Sequence, residues 1–257
     1  MFGVVHVMSF KSWRSYMNFS YSVKNNSRYI LDQESQDFLK AIEDTCDSRL
    51  EVIPAGSLMW RAQAGHDVRP YYQNDVYIDD FPVPYSEKRM KPLTNSASEG
   101  RANPKGIPCL YVASTKETAM SEIRPWLGSI VSVARFTNER DLKVIDFSKH
   151  YGKRNLFYFK EPNDNEKLEA VWRDIDNAFS EPVTNSDLKS DYAPTQIIAE
   201  LIKSLGFDGI AFKSSLSDGY NIALFDLNSA VFKSCDLYEA KEIKFSFGSV
   251  TTPFTPF

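Results

Sequence analysis

Cysteine and histidine are scarce in this 257-residue chain, with three of each. Cys46, Cys109 and Cys235 are widely spaced and odd in number, and no CxxC pair or Cys/His cluster occurs. Neither a zinc site nor a disulfide framework is indicated, and a reducing, cytoplasmic setting is expected. Cys109, inside the apolar run CLYVA, reads as a buried structural thiol. Long apolar runs are missing too, so no membrane span is expected. The start, MFGVVHVMSFKSW, lacks a basic segment and a small-residue cleavage site, and reads as a poor signal peptide. There is no basic excess, the formal charge being -4, which argues against nucleic acid as a direct partner. Internal repeats and low-complexity tracts are absent. No GxGxxG or Walker motif follows a strand-like run, so a Rossmann or P-loop nucleotide site is unsupported.

What is present suffices for a sizeable core: 42% of residues are hydrophobic and 14% aromatic, which excludes global disorder. Residues 1–55 are aromatic and helical in pattern. They read as an N-terminal helical extension packed on a main domain at 56–240, with a tail at 241–257. Within the extension, Phe38, Leu39, Ile42 and Cys46 share one helical face behind Asp32 as N-cap. Residues 63–100, rich in Pro, Tyr, Asp and Ser with no sustained period, read as a long loop. Strands are expected at 109–113, in IVSVARF (130–136) and in KVIDF (143–147). Ser114 and Glu117 form a capping-box pattern for a short helix that stops at Pro125. Apolar residues at helical spacing mark 166–179. A further helix starts at Pro194 and ends at Gly206. GIAFKSS and YNIALFD form a hairpin through Asp218 and Gly219. This irregular alternation with antiparallel pairs favours an α+β fold over a doubly wound sheet.

Four segments carry residues suited to chemistry, and each also has an ordinary reading. Arg61 ends the apolar strand LMWRA; it is either an exposed strand-end arginine or a buried cation awaiting an anion. Arg101, between glycine and proline in GRANPKG, either solvates a turn or approaches a phosphate, whose oxygens its planar fork can pair bidentately. Glu122 has Thr118 and Trp126 as its i-4 and i+4 neighbours, so no local ion pair accounts for it. It is either a solvated helix carboxylate or a site residue. Tyr111 is a core aromatic or a stacking platform. Ser214 and Ser215 precede a turn, where serine is common.

Together the segments WRA (60–62), GRANPKGIPCLYVAS (100–114), ETAMSEIRP (117–125), GFDGIAFKSS (206–215) and YNIALF (220–225) resemble the RES domain family. The resemblance spans about residues 57–236 in order and spacing. It implies an ADP-ribosyltransferase-like core of two small mixed or antiparallel sheets with surrounding helices, clasping NAD+. It further implies a toxin of a toxin–antitoxin pair, held by an Xre-like antitoxin, that consumes NAD+ by phosphorolysis or hydrolysis. By position, the resemblance assigns Arg61, Arg101, Tyr111, Glu122 and Ser214 to the NAD+ site, with Ser214 preferred over Ser215 because it stands two residues after Phe212. The N-terminal extension and the long segment between Arg61 and Arg101 depart from the compact toxins of the family.

Cleaving the nicotinamide–ribose bond builds positive charge on the ribose, an oxocarbenium-like transition state. A carboxylate beside that ring stabilises it, the role the resemblance gives Glu122. Arg61 and Arg101 would hold the diphosphate, or one of them an attacking inorganic phosphate. Tyr111 would pack on the nicotinamide or its ribose, and Ser214 would orient that end. No metal is required. The rival readings are protein ADP-ribosylation at the same site and a non-catalytic NAD-binding module. An RNA-cleaving toxin would have to draw on His6, His66 and His150, which form no recognisable pair. Oligomeric state, a homodimer included, is left open.

Overall fold

The computed structural model describes residues 9–94, 96–153, 158, 160–181, 189–244 and 248. His6, and with it the first eight residues, lies outside them, as does most of the expected tail. The first elements among the described residues are two helices, α1 (Ser15–Asn25) and α2 (Gln33–Thr45). As expected, the Asp32 side chain caps α2 by accepting from the Ser35 amide at 2.8 Å. Strands β1 (Leu50–Ile53), β2 (Leu58–Ala64), β3 (Asp67–Gln73) and β4 (Val76–Val83) follow, then a single turn α3 (Glu87–Met90). Next come β5 (Leu110–Ala113), α4 (Lys116–Glu122), β6 (Ile130–Thr137), β7 (Leu142–Phe147), α5 (Asp164–Ser180), α6 (Ala193–Ser204), β8 (Gly209–Lys213), β9 (Tyr220–Leu224) and β10 (Val231–Glu239).

The fold is α+β. Eight strands run in the order β1-β7-β8-β9-β5-β2-β6-β10, and every pair is antiparallel except β7–β8. The seam between β5 and β2 is the feature that makes a site. β2 pairs with β6 through seven registered positions, Leu58 to Ala64, but with β5 only at Trp60↔Ala113. One large mixed sheet therefore stands where two small ones were expected, and a single registered pair joins β1-β7-β8-β9-β5 to β2-β6-β10 within it.

Side-chain alternation on β5 sorts the core. Leu110 and Val112 enter one apolar cluster with Met59, Phe136 and Leu224. The opposite face, with Ile145, Phe147, Ile210 and Phe212 from β7 and β8, packs on α5 and α6 through Val171, Trp172, Ile175, Phe179, Ile198 and Ile202. Phe19, Phe38, Ala41 and Ile42 bring α1 and α2 into that same cluster. A smaller cluster, Ala62, Ala113, Ala119, Val131 and Val133, sits under α4. Among the described residues, no helix is long and apolar enough to cross a membrane.

Two local readings are corrected. Residues 67–83, expected as loop, form the antiparallel hairpin β3–β4, turned by Asn74 (φ 49°) and Asp75 (φ 63°). Two consecutive left-handed residues match the twist of a two-residue hairpin, and Asn and Asp tolerate that region. Pro70 and Pro82 fit because in a two-stranded ribbon each strand has a free edge. The cap of α4 is Thr115, whose hydroxyl accepts from the Thr118 amide at 3.1 Å, rather than Ser114. Ser114 Oγ instead accepts from the Tyr220 amide at 3.0 Å, tying the end of β5 to β9.

Candidate functional site

Glu122 closes α4, and its carboxylate is met by donors that arrive from the far end of the chain. Oε1 accepts from Ser214 Oγ at 2.7 Å and from Asn221 Nδ2 at 2.6 Å. Ser214 follows directly on β8 and Asn221 lies in β9, so the β8–β9 hairpin delivers both donors to one oxygen. The Ser214 hydroxyl, 2% exposed, also accepts from the Leu216 amide at 3.1 Å, which fixes its rotor. Gly219 lets this happen: a Cβ there would collide with the hydroxyls of Thr118 and Ser114 at the start of α4. Among the described residues, Oε2 receives no hydrogen bond.

The carboxylate lines a cavity of about 280 Å³ together with Arg101, Tyr111, Phe212, Ser215 and Asn221. Ser214 faces the carboxylate from behind, whereas Ser215 lines the open space. Arg101 arrives on the GRANP turn. Its Nη1 donates to the Phe179 carbonyl and its Nη2 to the Glu181 carbonyl, at the exit of α5. Both of these partners are neutral carbonyls. Burial pulls its pKa below the usual guanidinium value, and the fields of Tyr192 and Glu122 work the other way.

Tyr111 has a firmer anchor than a free stacking ring would need. Its hydroxyl donates to Asn103 Oδ1 at 2.8 Å and accepts from the Ala102 amide at 3.0 Å. A Cβ on Gly100 would fall 2.6 Å from that hydroxyl, which explains glycine before Arg101. Tyr111 therefore pins the turn that presents Arg101, and burial raises its pKa. Its ring nevertheless walls the Glu122 cavity.

Arg61 spans the seam where β2 and β5 part, its Nη1 donating to the Tyr111 carbonyl at 2.8 Å. Nε is buried and has no hydrogen-bond partner among the described residues. Desolvation lowers the pKa to about 10. The side chain borders a second cavity, of about 270 Å³, on the other side of Tyr111.

The residues singled out from sequence thus fall around Tyr111, with Glu122, Arg101 and Ser214 on one side and Arg61 on the other. Asn221 was missed, although it stands in the quoted YNIALF string. Its neighbour in sequence, Tyr220, is 45% exposed, and nothing local marks Asn221 as a carboxylate partner. The two described histidines stay apart. His66 Nδ1 bonds the adjacent Asp67 carbonyl at 2.8 Å, and His150 Nδ1 bonds Asp176 at 3.0 Å. Among the described residues, no group of His, Cys, Asp and Glu side chains is arranged to hold a metal ion.

Comparison with known proteins adds two findings. The family model described as RES domain matches residues 81–247, a span that contains Arg101, Tyr111, Glu122, Ser214 and Asn221 and begins after Arg61. Among solved structures, the chain is similar to the M. tuberculosis MbcT-MbcA toxin-antitoxin complex, at 13% identity and a TM-score of 0.39, over 76% of this chain and 90% of that one. No curated protein matches by sequence.

Proposed function

The chain belongs to the RES domain family, and from that premise we propose that it cleaves the nicotinamide–ribose bond of NAD+ in the cavity between Tyr111 and Glu122. The observation that carries the reading is the Glu122 carboxylate, gripped through Oε1 by Ser214 and Asn221 with Oε2 open to a 280 Å³ cavity. A carboxylate held this way cannot swing to follow a ligand, so its charge is preorganised, which is what electrostatic stabilisation of a transition state requires.

In the mechanism, the C1′–N bond of the nicotinamide ribose breaks and its electron pair leaves with nicotinamide, which departs neutral from a cationic ring. Positive charge develops on C1′ and the ring oxygen. Glu122 Oε2 faces that charge and can accept from a ribose hydroxyl. Tyr111 walls the nicotinamide-ribose end. Arg101 and Arg61, on either side of Tyr111, hold the diphosphate. Water or inorganic phosphate then adds to C1′, giving ADP-ribose or its 1″-phosphate. In the cell the activity serves as the toxin of a toxin–antitoxin pair acting on cytoplasmic NAD+, with an Xre-like antitoxin as partner.

The test is direct. The purified protein is incubated with NAD+, with and without phosphate, and nicotinamide is followed by chromatography. Release that rises with phosphate identifies phosphorolysis, release indifferent to phosphate identifies hydrolysis, and label retained on protein identifies ADP-ribosyl transfer. Absence of release under all conditions sinks the reading.

Arg61 offers a second check, because the unpartnered Nε makes opposite demands on stability and activity. Arg61→Met keeps the stem volume and removes a desolvated cation. It is expected to raise Tm by about 2–4 °C, the equivalent of about 1 kcal/mol in a chain of this size. The same change is expected to raise KM for NAD+ by about tenfold or more. A fall in Tm, or an unchanged KM, would show that Arg61 is a structural residue.

A further inference from the structure

The second cavity, of about 270 Å³, is more basic than a diphosphate alone calls for. Arg61, Lys88, Arg89 and Lys91 line it, and no carboxylate does so among the described residues. Of these cations, Lys91 is paired with Glu87 at 3.2 Å. Arg89 rests over the Tyr85 ring, 5.1 Å from its centroid, a contact that leaves its charge uncompensated. Lys88 has no ion pair or hydrogen bond to a described residue, and Arg61 Nε is an orphan. The lysines and Arg89 belong to α3 and the residue after it. Met90 nails that turn down, fully buried in the cluster with Met59 and Leu110. Met90 thus fixes the backbone of the turn, and the exposed Lys88 and Arg89 side chains have no carboxylate partner among the described residues.

The dinucleotide has a polarity of its own: a pyridinium cation at one end and anionic phosphates beyond. With the nicotinamide ribose at Glu122, its phosphates run past Tyr111, the wall common to both cavities. Arg101 and Arg61 flank that wall and match the two charges of the diphosphate. Arg124 and Lys213 lie on the Glu122 side, so in the second cavity Lys88 and Arg89 remain, facing the adenosine end. A phosphate monoester brings nearly two further negative charges at neutral pH, and a nearby cation is the usual means of accommodating a ribose 2′-phosphate.

We propose that the Lys88–Arg89 pocket binds the 2′-phosphate of the adenosine ribose, so that NADP+ is the preferred substrate of this site. The inference rests on the reading of the Glu122 cavity as the nicotinamide end. It concerns α3, which lies in the segment between Arg61 and Arg101 where the chain departs from the compact toxins it resembles.

Nicotinamide release is measured with NADP+ and NAD+ for the wild type and for Lys88→Ala/Arg89→Ala. kcat/KM is expected to be at least about tenfold higher for NADP+. The double variant is expected to lose that advantage while its NAD+ activity stays within about threefold of wild type, since each charge-assisted contact contributes mainly to the group it touches. Equal or better use of NAD+ by the wild type overturns the proposal, as does a parallel loss on both substrates. So does a phosphate-stimulated cleavage of NAD+ that the double variant abolishes, which would make the pocket the seat of free inorganic phosphate. A binding measurement separates this proposal from the cleavage reading. Adenosine 2′,5′-bisphosphate is expected to bind the wild type at least about tenfold tighter than AMP, and the double variant no tighter. That outcome supports the pocket even if neither dinucleotide is cleaved; indistinguishable affinities for the wild type overturn it.

Discussion

Glu122→Gln is expected to lower kcat for nicotinamide release by about 10²–10³-fold, the usual cost of deleting one preorganised charge from a transition state. KM and Tm are expected to stay near their wild-type values. The amide oxygen can still accept from Ser214 and Asn221, whose 2.7 and 2.6 Å bonds fix the position of Oε1. The substitution therefore removes the charge and puts a donor amide where Oε2 could accept, and the loss should fall mainly on kcat because the positive charge on the ribose exists only as the bond breaks. Asn221→Ala offers a graded companion. It frees one grip on the carboxylate and is expected to cost about tenfold, with the charge still present. A glutamine variant keeping more than a tenth of wild-type turnover would remove Glu122 from the chemistry.

The parts of the fold legible in sequence are those with one wet and one dry face. α2, α5 and α6 each present a stripe to a single cluster, so Phe38 and Ile42, Trp172 and Phe179, and Ile198 and Ile202 recur at helical spacing. β5 to β9 are short and apolar because helices or strands cover them. The β3–β4 hairpin escaped because it has no dry face: Val68, Tyr71, Tyr77, Ile78 and Phe81 are all exposed by about half, and without a buried side there is no alternation to see. β10 escaped for a related reason. It is an edge strand, paired only with β6, and its Val231, Phe232, Cys235, Leu237 and Tyr238 are half-buried among polar residues.

The site divides the same way. Residue type raised Arg61, Arg101 and Glu122 as questions, and likeness to a family grouped them. What pattern could not supply was geometry across long sequence distances. Glu122 meets Ser214 across 92 residues and Asn221 across 99. Arg101 is fixed by carbonyls 78 and 80 residues away. Nor could any period reveal that β2 and β5 share a single rung, a seam that Arg61 spans to reach the Tyr111 carbonyl.

Asp176→Ala is expected to cost about 3–5 kcal/mol, the penalty for stranding a buried cation. Asp176 on α5 is fully buried. It takes both Arg49 Nη2 contacts, at 2.7 and 2.5 Å, and accepts from the His150 amide at 2.9 Å. Arg49, 3% exposed, also donates through Nε to the Asp146 carbonyl at 3.0 Å and lies 4.5 Å over the Trp172 ring. This cluster joins the end of the N-terminal helices to α5 and to the exit of β7. Removing the carboxylate takes away the hydrogen-bonded counter-charge of a buried guanidinium, and Tm should fall by about 6–20 °C. The pair itself need contribute little, since an apolar replacement of both partners restores the packing without the desolvation cost. Arg49→Met/Asp176→Leu is accordingly expected to recover most of the lost stability. The connection to function runs along α5. Three residues after Asp176 stands Phe179, whose carbonyl holds Arg101, so nicotinamide release by Asp176→Ala should vanish over the same temperature range in which the chain unfolds. Loss of less than about 1 kcal/mol in the single variant, or no recovery in the double, would show that the cluster does not fasten the N-terminal helices to the core.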